Sequence, residues 1–269
     1  MPLSCDVHPP SRLCEGSPIP VSLVPGDLLH HPLLLAGAVV IVFVAFYVRA
    51  AIGFGSGLIS VALLSLFFPI KETVPVVLLL DLLGSAVLGA YDFHEIRWPE
   101  LRVLVPGSLV GLVVGSFILA DTNAQSLTRF LGVFILLYVI YALVVRPERL
   151  PRIGVGWGFP LGVFGGVVGS LYGGGGPPLV AYLQMRRLDK RAFRATFQGI
   201  ALIGNVVRVF IYAGLALLTF RLAGGALFLV PSVLLGVGVG NRLHLRISPR
   251  AFFLATLVLL AAVGVNYLL

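Results

Sequence analysis

The sequence predicts an all-α polytopic membrane protein built from two inverted repeats of about five segments each. The first observation is the composition: 58% of the 269 residues are apolar, 11% are charged and the mean hydropathy is +1.04. Such values lie outside the range of soluble globular domains. The second is the recurrence of apolar runs close to the ~20 residues that cross a ~30 Å hydrocarbon core. The third is a correspondence between the two halves of the chain.

The apolar runs follow one another with short polar breaks between them. In chain order they are Leu33–Val48, Leu58–Phe68, Val74–Ala90, Val103–Ala120, Leu127–Val145, Ile153–Leu171, Pro177–Met185, Ala195–Phe220, Leu222–Val239 and Ala251–Leu269. Eight of them have near-spanning length. The runs Leu58–Phe68 and Pro177–Met185 are too short to cross as straight helices, and each follows a glycine cluster. The second segment of each half is therefore predicted to be a broken or re-entrant helix.

An internal repeat relates the two halves. At an offset of 119 residues Gly55 corresponds to Gly174, and at an offset of 125 Leu104-Val105-Pro106 corresponds to Leu229-Val230-Pro231. Ordered matches at a nearly constant period indicate duplication. We therefore expect a first transmembrane repeat over residues 33–150 and a second over residues 151–269.

Residues 1–32 stand apart from both repeats because they are polar and rich in proline. This composition predicts a disordered tail, with a misassigned start codon as the alternative. Cys5 and Cys14 both lie in it and could pair only in an oxidising compartment.

The positive charges indicate the topology. The 19 Lys and Arg residues give a formal net charge of +8, but most lie in short loops, so no basic face is left for nucleic acid. If both short segments cross, nearly all these charges fall on one side, and only Arg12, Lys71 and Arg221 lie in loops on the other. If the short segments are re-entrant, the charges divide more evenly. The positive-inside rule favours five crossings per half, which inverts the second half and leaves the termini and the tail outside the cytoplasm. We expect the cell (plasma or inner) membrane.

The two glycine clusters are the first candidate site. Their members are Gly53, Gly55 and Gly57 with Ser56 in the first half, and Gly173, Gly174, Gly175 and Gly176 in the second. Unwound backbone is tolerated at membrane depth where it is buried in protein or lines a wet cavity, and helix N-termini there favour an anion. Close helix packing is the alternative. We favour packing for the isolated glycines Gly37, Gly84, Gly111 and Gly264.

The sequence resembles the sulfite exporter TauE/SafE family of membrane permeases. The resemblance covers about residues 33–269 and rests on Gly53-Phe54-Gly55-Ser56-Gly57-Leu58-Ile59, on Gly173–Gly176 with Pro177-Pro178, and on the repeat layout. It implies transport of sulfite, sulfoacetate or related organosulfur anions. Ser56 stands where a third glycine would be more typical, and no proline follows soon after Leu58, which implies that the first half lines the site less symmetrically.

Charged and polar residues inside apolar runs are the second candidate site. Arg208 lies deep within the run Ala195–Phe220, with Asn205 on roughly the same helical face and Gln198 ten residues before it. A buried guanidinium suits recognition of two oxygens of an anion. The alternative is an internal ion pair with Asp81, which could also relay a proton.

These features predict a secondary transporter that binds a small anion near the midplane, between the two glycine clusters, and moves it by alternating access. The alternatives are an anion channel and a structural or assembly subunit. An intramembrane enzyme would need a nucleophile, metal ligands or an acid/base pair at membrane depth, and we expect no enzyme, no metal and no cofactor. The expected partners are the anion and the lipid bilayer, with homo-oligomerisation left open.

Overall fold

The computed structural model describes residues 22–145, 150–173, 176–243 and 249–269. Within these residues the secondary structure is entirely helical. The helices are α1 (Pro25–His30), α2 (Pro32–Ile52), α3 (Ser56–Leu64), α4 (Ile70–Asp92), α5 (Trp98–Asp121), α6 (Ala124–Val144), α7 (Gly158–Tyr172), α8 (Gly176–Met185), α9 (Lys190–Gly214), α10 (Phe220–Leu243) and α11 (Pro249–Asn266). The prediction of an all-α protein is confirmed.

Seven helical segments in the described residues are long and apolar enough to cross a membrane. They correspond to α2, α4, α5, α6, α9, α10 and the segment Val155–Tyr172, which contains α7. The eighth near-spanning run, Ala251–Leu269, corresponds to α11, which has 18 residues. Helices α3 and α8 have only 9 and 10 residues and coincide with the two short runs. Exposed apolar side chains such as Phe130, Leu137 and Phe210 cover the outer faces, as expected for contact with lipid.

The prediction of disorder over residues 1–32 is wrong at its C-terminal end, where Pro25–His30 form a helix. Residues 1–21 lie outside the described residues. Helix α1 packs on α2 and α10, and Leu23 and Leu28 are completely buried. The Leu23 N–H donates to Glu72 Oε2 at 2.9 Å, which satisfies a backbone group that would otherwise need water. Burial of two leucines therefore orders the chain before α2 begins.

The helix contacts pair the two halves with each other. Helix α2 packs on α10, and α7 packs on α5. Helix α4 packs on α9 and α10, and α9 packs on α4 and α5, while α6 packs on α11. If α2–α6 are matched in order with α7–α11, the α2–α10 contact corresponds to α7–α5 and the α4–α10 contact to α9–α5. The α4–α9 and α6–α11 contacts each join two matched helices.

Glycines make these crossings close. In α5, a Cβ on Gly111 would lie 2.0 Å from the Val163 carbonyl oxygen of α7, and in α10 a Cβ on Gly236 would lie 2.6 Å from the Phe43 carbonyl oxygen of α2. Such backbone contact is the usual role of small residues between membrane helices. The packing prediction is confirmed for Gly111, as it is for Gly84 against Phe46 and for Gly264 against Leu136.

For Gly37 the packing prediction is wrong. No described atom lies within 4 Å of a Cβ added there, because Gly37 lies on the exposed face of α2.

Replacing Gly111 with Ala should destabilise the protein. The nearest atoms are backbone atoms of Val163 and Val167, so α5 and α7 must separate, and overpacking of this kind costs about 1–3 kcal/mol. We expect a lower thermal unfolding temperature of the purified protein in detergent. Gly37→Ala is the matched control, since it adds the same methyl group to a helix where there is space. Equal unfolding temperatures for the two variants would contradict the close crossing.

Candidate functional site

Two interruptions of the helices, here called the glycine breaks, separate α2 from α3 and α7 from α8. In the first, α2 ends at Ile52 and α3 begins at Ser56, with Gly53 at φ 104° and Gly55 at φ 102°. In the second, α7 ends at Tyr172 and Gly173 has φ 76°. These left-handed backbone conformations suit glycine because a Cβ would be strained there. Gly174 and Gly175 lie outside the described residues.

The two glycine breaks touch each other. A Cβ on Gly57 would lie 2.7 Å from the carbonyl carbon of Gly173 and 2.7 Å from Asp81 Oδ2. Conversely, a Cβ on Gly173 would lie 3.2 Å from the Gly57 Cα. Because neither position has a side chain, the N-terminus of α3 and the C-terminus of α7 can lie in contact, with the Asp81 carboxylate of α4 beside them.

Arg49 occupies the centre of this region. It lies in the last turn of α2 and is 2% exposed. Its Nη1 donates to Asp81 Oδ1 at 2.8 Å and to Ser56 Oγ at 3.0 Å, and its Nη2 donates to Ser85 Oγ at 2.6 Å and to Gln198 Oε1 at 2.7 Å. Both ions of the Arg49–Asp81 pair are nearly inaccessible. Further hydrogen bonds help to offset the desolvation of such an ion pair, and here Ser56, Ser85 and Gln198 supply them.

Gln198 and Asn205 connect α9 to this network. The Gln198 side chain accepts from Arg49 and donates from Nε2 to the Gly53 carbonyl at 2.8 Å. The Asn205 side-chain amide donates to Ser85 Oγ at 3.4 Å. Gln198 therefore holds the turn of the first glycine break against α9.

A cavity of about 40 Å³, here called the central cavity, opens beside the network. It is large enough for about three water-sized spheres. Both halves line it, and the lining residues are Arg49, Gly55, Ser56, Gly57, Asp81, Ser108, Leu112, Gly165, Gly166, Leu179, Phe197, Ile200, Ala201, Gly204 and Asn205. The wall combines one buried ion pair, hydroxyl and amide groups, and glycine backbone.

Arg208 is also buried, at 1% exposure, but it does not line the central cavity. Its Nη1 donates to the Gly169 carbonyl, and its guanidinium lies over the Tyr212 ring at 5.5 Å from the centroid. The predicted alternative, an ion pair with Asp81, is wrong, because Asp81 pairs with Arg49.

A larger and more polar cavity of about 490 Å³, here called the basic vestibule, lies at the start of α9. Its lining residues are Ala51, Tyr91, His94, Glu95, Lys190, Arg191, Arg194 and Asn241. The stem of Arg194 lies against Gly53, 3.3 Å from where a Cβ would be. The turn at Gly53, which Gln198 holds, therefore lies between Arg194 of this vestibule and the Arg49 network.

One face of α9 contributes to the basic vestibule, to the Arg49 network and to the central cavity. Arg194 lines the vestibule, Gln198 contacts Arg49, Ala201 and Asn205 line the central cavity, and Arg208 follows. The spacing alternates between four and three residues, so these side chains form one continuous stripe. The sequence contains this spacing, and it could have revealed Arg194 as a member.

The structure thus brings together most of the residues that the sequence nominated: Gly53, Gly55, Ser56, Gly57, Gly173, Asp81, Gln198 and Asn205. Gly176 is the first residue of α8, and a Cβ added to it would lie 3.8 Å from the Phe54 ring. Sequence reasoning missed Arg49, because it directly follows the apolar run Leu33–Val48 and a charge at that place is typical of a loop. The structure corrects this: α2 continues past it to Ile52.

Comparison with known proteins gives a consistent assignment. The family profile described as sulfite exporter TauE/SafE matches residues 38–267. A probable inner membrane transporter protein TsaS of Comamonas testosteroni is 28% identical over 197 residues, covering 71% of this chain and 80% of that protein. A probable sulfite/organosulfonate exporter TauE of Cupriavidus necator is 26% identical over 228 residues, covering 83% and 89% respectively. No solved structure matches significantly.

Proposed function

Because the chain belongs to the sulfite exporter TauE/SafE family of membrane transporters, we propose that it is a secondary transporter of sulfite or a small organosulfonate in the plasma (inner) membrane. One relative bears the name of a sulfite/organosulfonate exporter and another that of an inner membrane transporter. The observation that carries the proposal is the position of Arg49, a buried cation beside a cavity that is lined by the first glycine break together with residues of α7, α8 and α9.

The anion binds in the central cavity and is recognised by Arg49. The Nε of Arg49 is buried and has no hydrogen-bond partner among the described residues, so this donor is available to an oxyanion. Ser56, Ser108 and Asn205 supply further polar groups around the same volume. A sulfite or sulfonate group has three oxygens, and charge-assisted hydrogen bonds from a guanidinium fit two of them.

Asp81 provides a route to coupling. It already occupies Arg49 Nη1, and an incoming anion would bring a second negative charge to one guanidinium in a nearly dry site. Two negative charges at one guanidinium repel each other, and protonation of one of them removes this repulsion. We therefore assign Asp81 the role of a proton relay, in which it gains a proton as the anion displaces it from Arg49 and loses the proton when the anion leaves.

The paired contacts of the two halves support an inverted repeat with alternating access. Helix α2 packs on α10 as α7 packs on α5, and α4 and α9 pack on each other. In transporters built this way the two halves exchange their conformations around a site at their interface, which opens it to one side and then to the other. The glycine breaks supply backbone joints at that interface.

The basic vestibule is the proposed entrance on the cytoplasmic side. Lys190, Arg191 and Arg194 line it, and these residues belong to the loop and helix start that the positive-inside rule places in the cytoplasm. A cavity lined by positive charge concentrates anions near its mouth. Movement from the vestibule to the central cavity requires release of the Gln198 contact with Gly53.

Purified protein in liposomes tests the function. We expect saturable uptake of radiolabelled sulfite or sulfoacetate above that of empty liposomes, stimulated by a pH gradient. Preloading with unlabelled substrate should accelerate uptake, because a carrier exchanges substrates whereas a channel shows no such counterflow. Absence of flux for every small anion tested under imposed gradients would overturn the proposal, and flux without saturation or counterflow would favour a channel.

A further inference from the structure

Two donor nitrogens of Arg208 have no acceptor in the part of the chain that the structure describes. Its Nη1 donates to the Gly169 carbonyl, but Nε and Nη2 are buried and have no partner among the described residues. Arg49, by contrast, is compensated by Asp81. The Tyr212 ring makes a cation–π contact with the Arg208 guanidinium, which does not supply a hydrogen-bond acceptor for Nε or Nη2, and the Tyr212 hydroxyl donates to the Ser170 carbonyl.

The chemistry of these donors points to an oxyanion. The N–H groups of Nε and Nη2 project in parallel from one edge of the guanidinium, which is the edge that binds two oxygens of a carboxylate, sulfonate or sulfite. A cation buried at membrane depth with no counter-ion is costly and usually marks a substrate or ion pathway. An arginine that merely fastened α9 to α7 would need only the bond to Gly169.

Its position relates Arg208 to the central cavity. It lies ten residues after Gln198, about 15 Å along α9 at 1.5 Å per residue, and one turn beyond Asn205, on the same stripe. The carbonyl that it contacts, that of Gly169, also accepts from the Gly173 N–H, just as the Arg49 carbonyl accepts from the Gly53 N–H. Each half therefore has one guanidinium at the helical turn that precedes its glycine break.

We propose that Arg208 is a second binding site for the transported oxyanion, distinct from the central cavity and further from the basic vestibule. The anion passes from Arg49 along the stripe of α9 to Arg208 before it leaves the protein on the opposite side. This rests on the proposed function. It adds that two anions bind per chain and that the two arginines act in sequence.

Equilibrium binding of radiolabelled sulfite to the purified protein tests the number of sites. We expect two sulfite ions per wild-type chain and one per Arg208→Met chain. Arg208→Lys, which keeps the charge but loses the parallel pair of donors, should fold normally and bind the second sulfite about tenfold more weakly. One site in the wild type that also transports sulfite would overturn the second site alone. No binding and no flux in the wild type would overturn the proposed function as well.

Thermal unfolding without sulfite separates a binding role from a structural one. Because removal of an uncompensated buried cation relieves a cost, Arg208→Met should unfold at the same temperature as the wild type or higher, and sulfite should stabilise it less. If the variant unfolds at a lower temperature and still binds two sulfite ions, Arg208 is a structural tie between α9 and α7 and the proposal is wrong.

Discussion

Replacing Arg49 with Met is expected to abolish anion transport. The side chain makes hydrogen bonds to Ser56, Asp81, Ser85 and Gln198, and in our proposal it is also the cation that binds the substrate. Loss of a hydrogen bond to a charged group costs about 1.5–3 kcal/mol, which corresponds to roughly a 10–100-fold loss of affinity for each bond to the anion. Initial rates of sulfite uptake into liposomes measure the effect.

Arg49→Met alone also leaves the buried Asp81 carboxylate without its counter-ion, which costs about 3–5 kcal/mol in stability. The double variant Arg49→Met with Asp81→Asn removes both charges and should recover much of the unfolding temperature. It should not recover transport. Uptake by the double variant at the wild-type rate would show that Arg49 is needed only to neutralise Asp81, and that the anion is recognised elsewhere.

Asp81→Asn by itself keeps the cation and removes the group assigned to proton coupling. Arg49 is then free of its carboxylate, so the central cavity should still bind sulfite while uptake no longer responds to a pH gradient. The comparison of these variants assigns charge recognition and coupling to different residues of one ion pair.

The sequence was a good guide to the local features of this fold. Apolar length predicted the helices, and the two short runs coincide with α3 and α8. The glycine cluster around Gly55 was recognisable because positive φ and close backbone approach both require glycine. Ser56 was predicted as a member of the first glycine cluster, and Gln198 and Asn205 as polar groups inside an apolar run. All three lie in or beside the Arg49 network.

The partner of Asp81 could not be predicted in the same way. Arg208 was the obvious cation, since it lies deep inside an apolar run, whereas Arg49 follows the last residue of the run Leu33–Val48. Hydropathy places the end of a run at the first charge, but α2 continues to Ile52 because the charge is compensated by a residue 32 positions away. A contact of that kind depends on how α2 and α4 pack, and no local pattern records it.

The contact between the two glycine breaks could not be predicted either, because it also depends on how the helices pack. Gly57 and Gly173 are far apart in the sequence, and their contact depends on how α3 packs against α7. Each cluster alone predicts unwound backbone. Only the packed structure places the N-terminus of α3 against the C-terminus of α7, with Asp81 beside them.

Replacing Gly57 with Ala is the most direct test of that contact. The added Cβ would lie 2.7 Å from the Gly173 carbonyl carbon and 2.8 Å from its oxygen, in addition to 2.7 Å from Asp81 Oδ2. Asp81 could rotate away only by weakening its bonds to Arg49 and Ser56, and the backbone of Gly173 cannot yield without separating the two breaks. Strain of this kind costs about 1–3 kcal/mol. The strain would act on the Arg49–Asp81 ion pair and on the glycine breaks, which in our proposal are the places where the backbone moves during alternating access.

We therefore expect Gly57→Ala to lose most of its transport while the protein still inserts and purifies, with a modest fall in unfolding temperature. Gly238→Ala is the matched control, because it adds a methyl group within α10 where nothing lies within 4 Å, and it should transport at the wild-type rate. If Gly57→Ala transports as well as Gly238→Ala, the two glycine breaks do not have to remain in contact during transport. The anion would then have to pass by a route that does not lie between them.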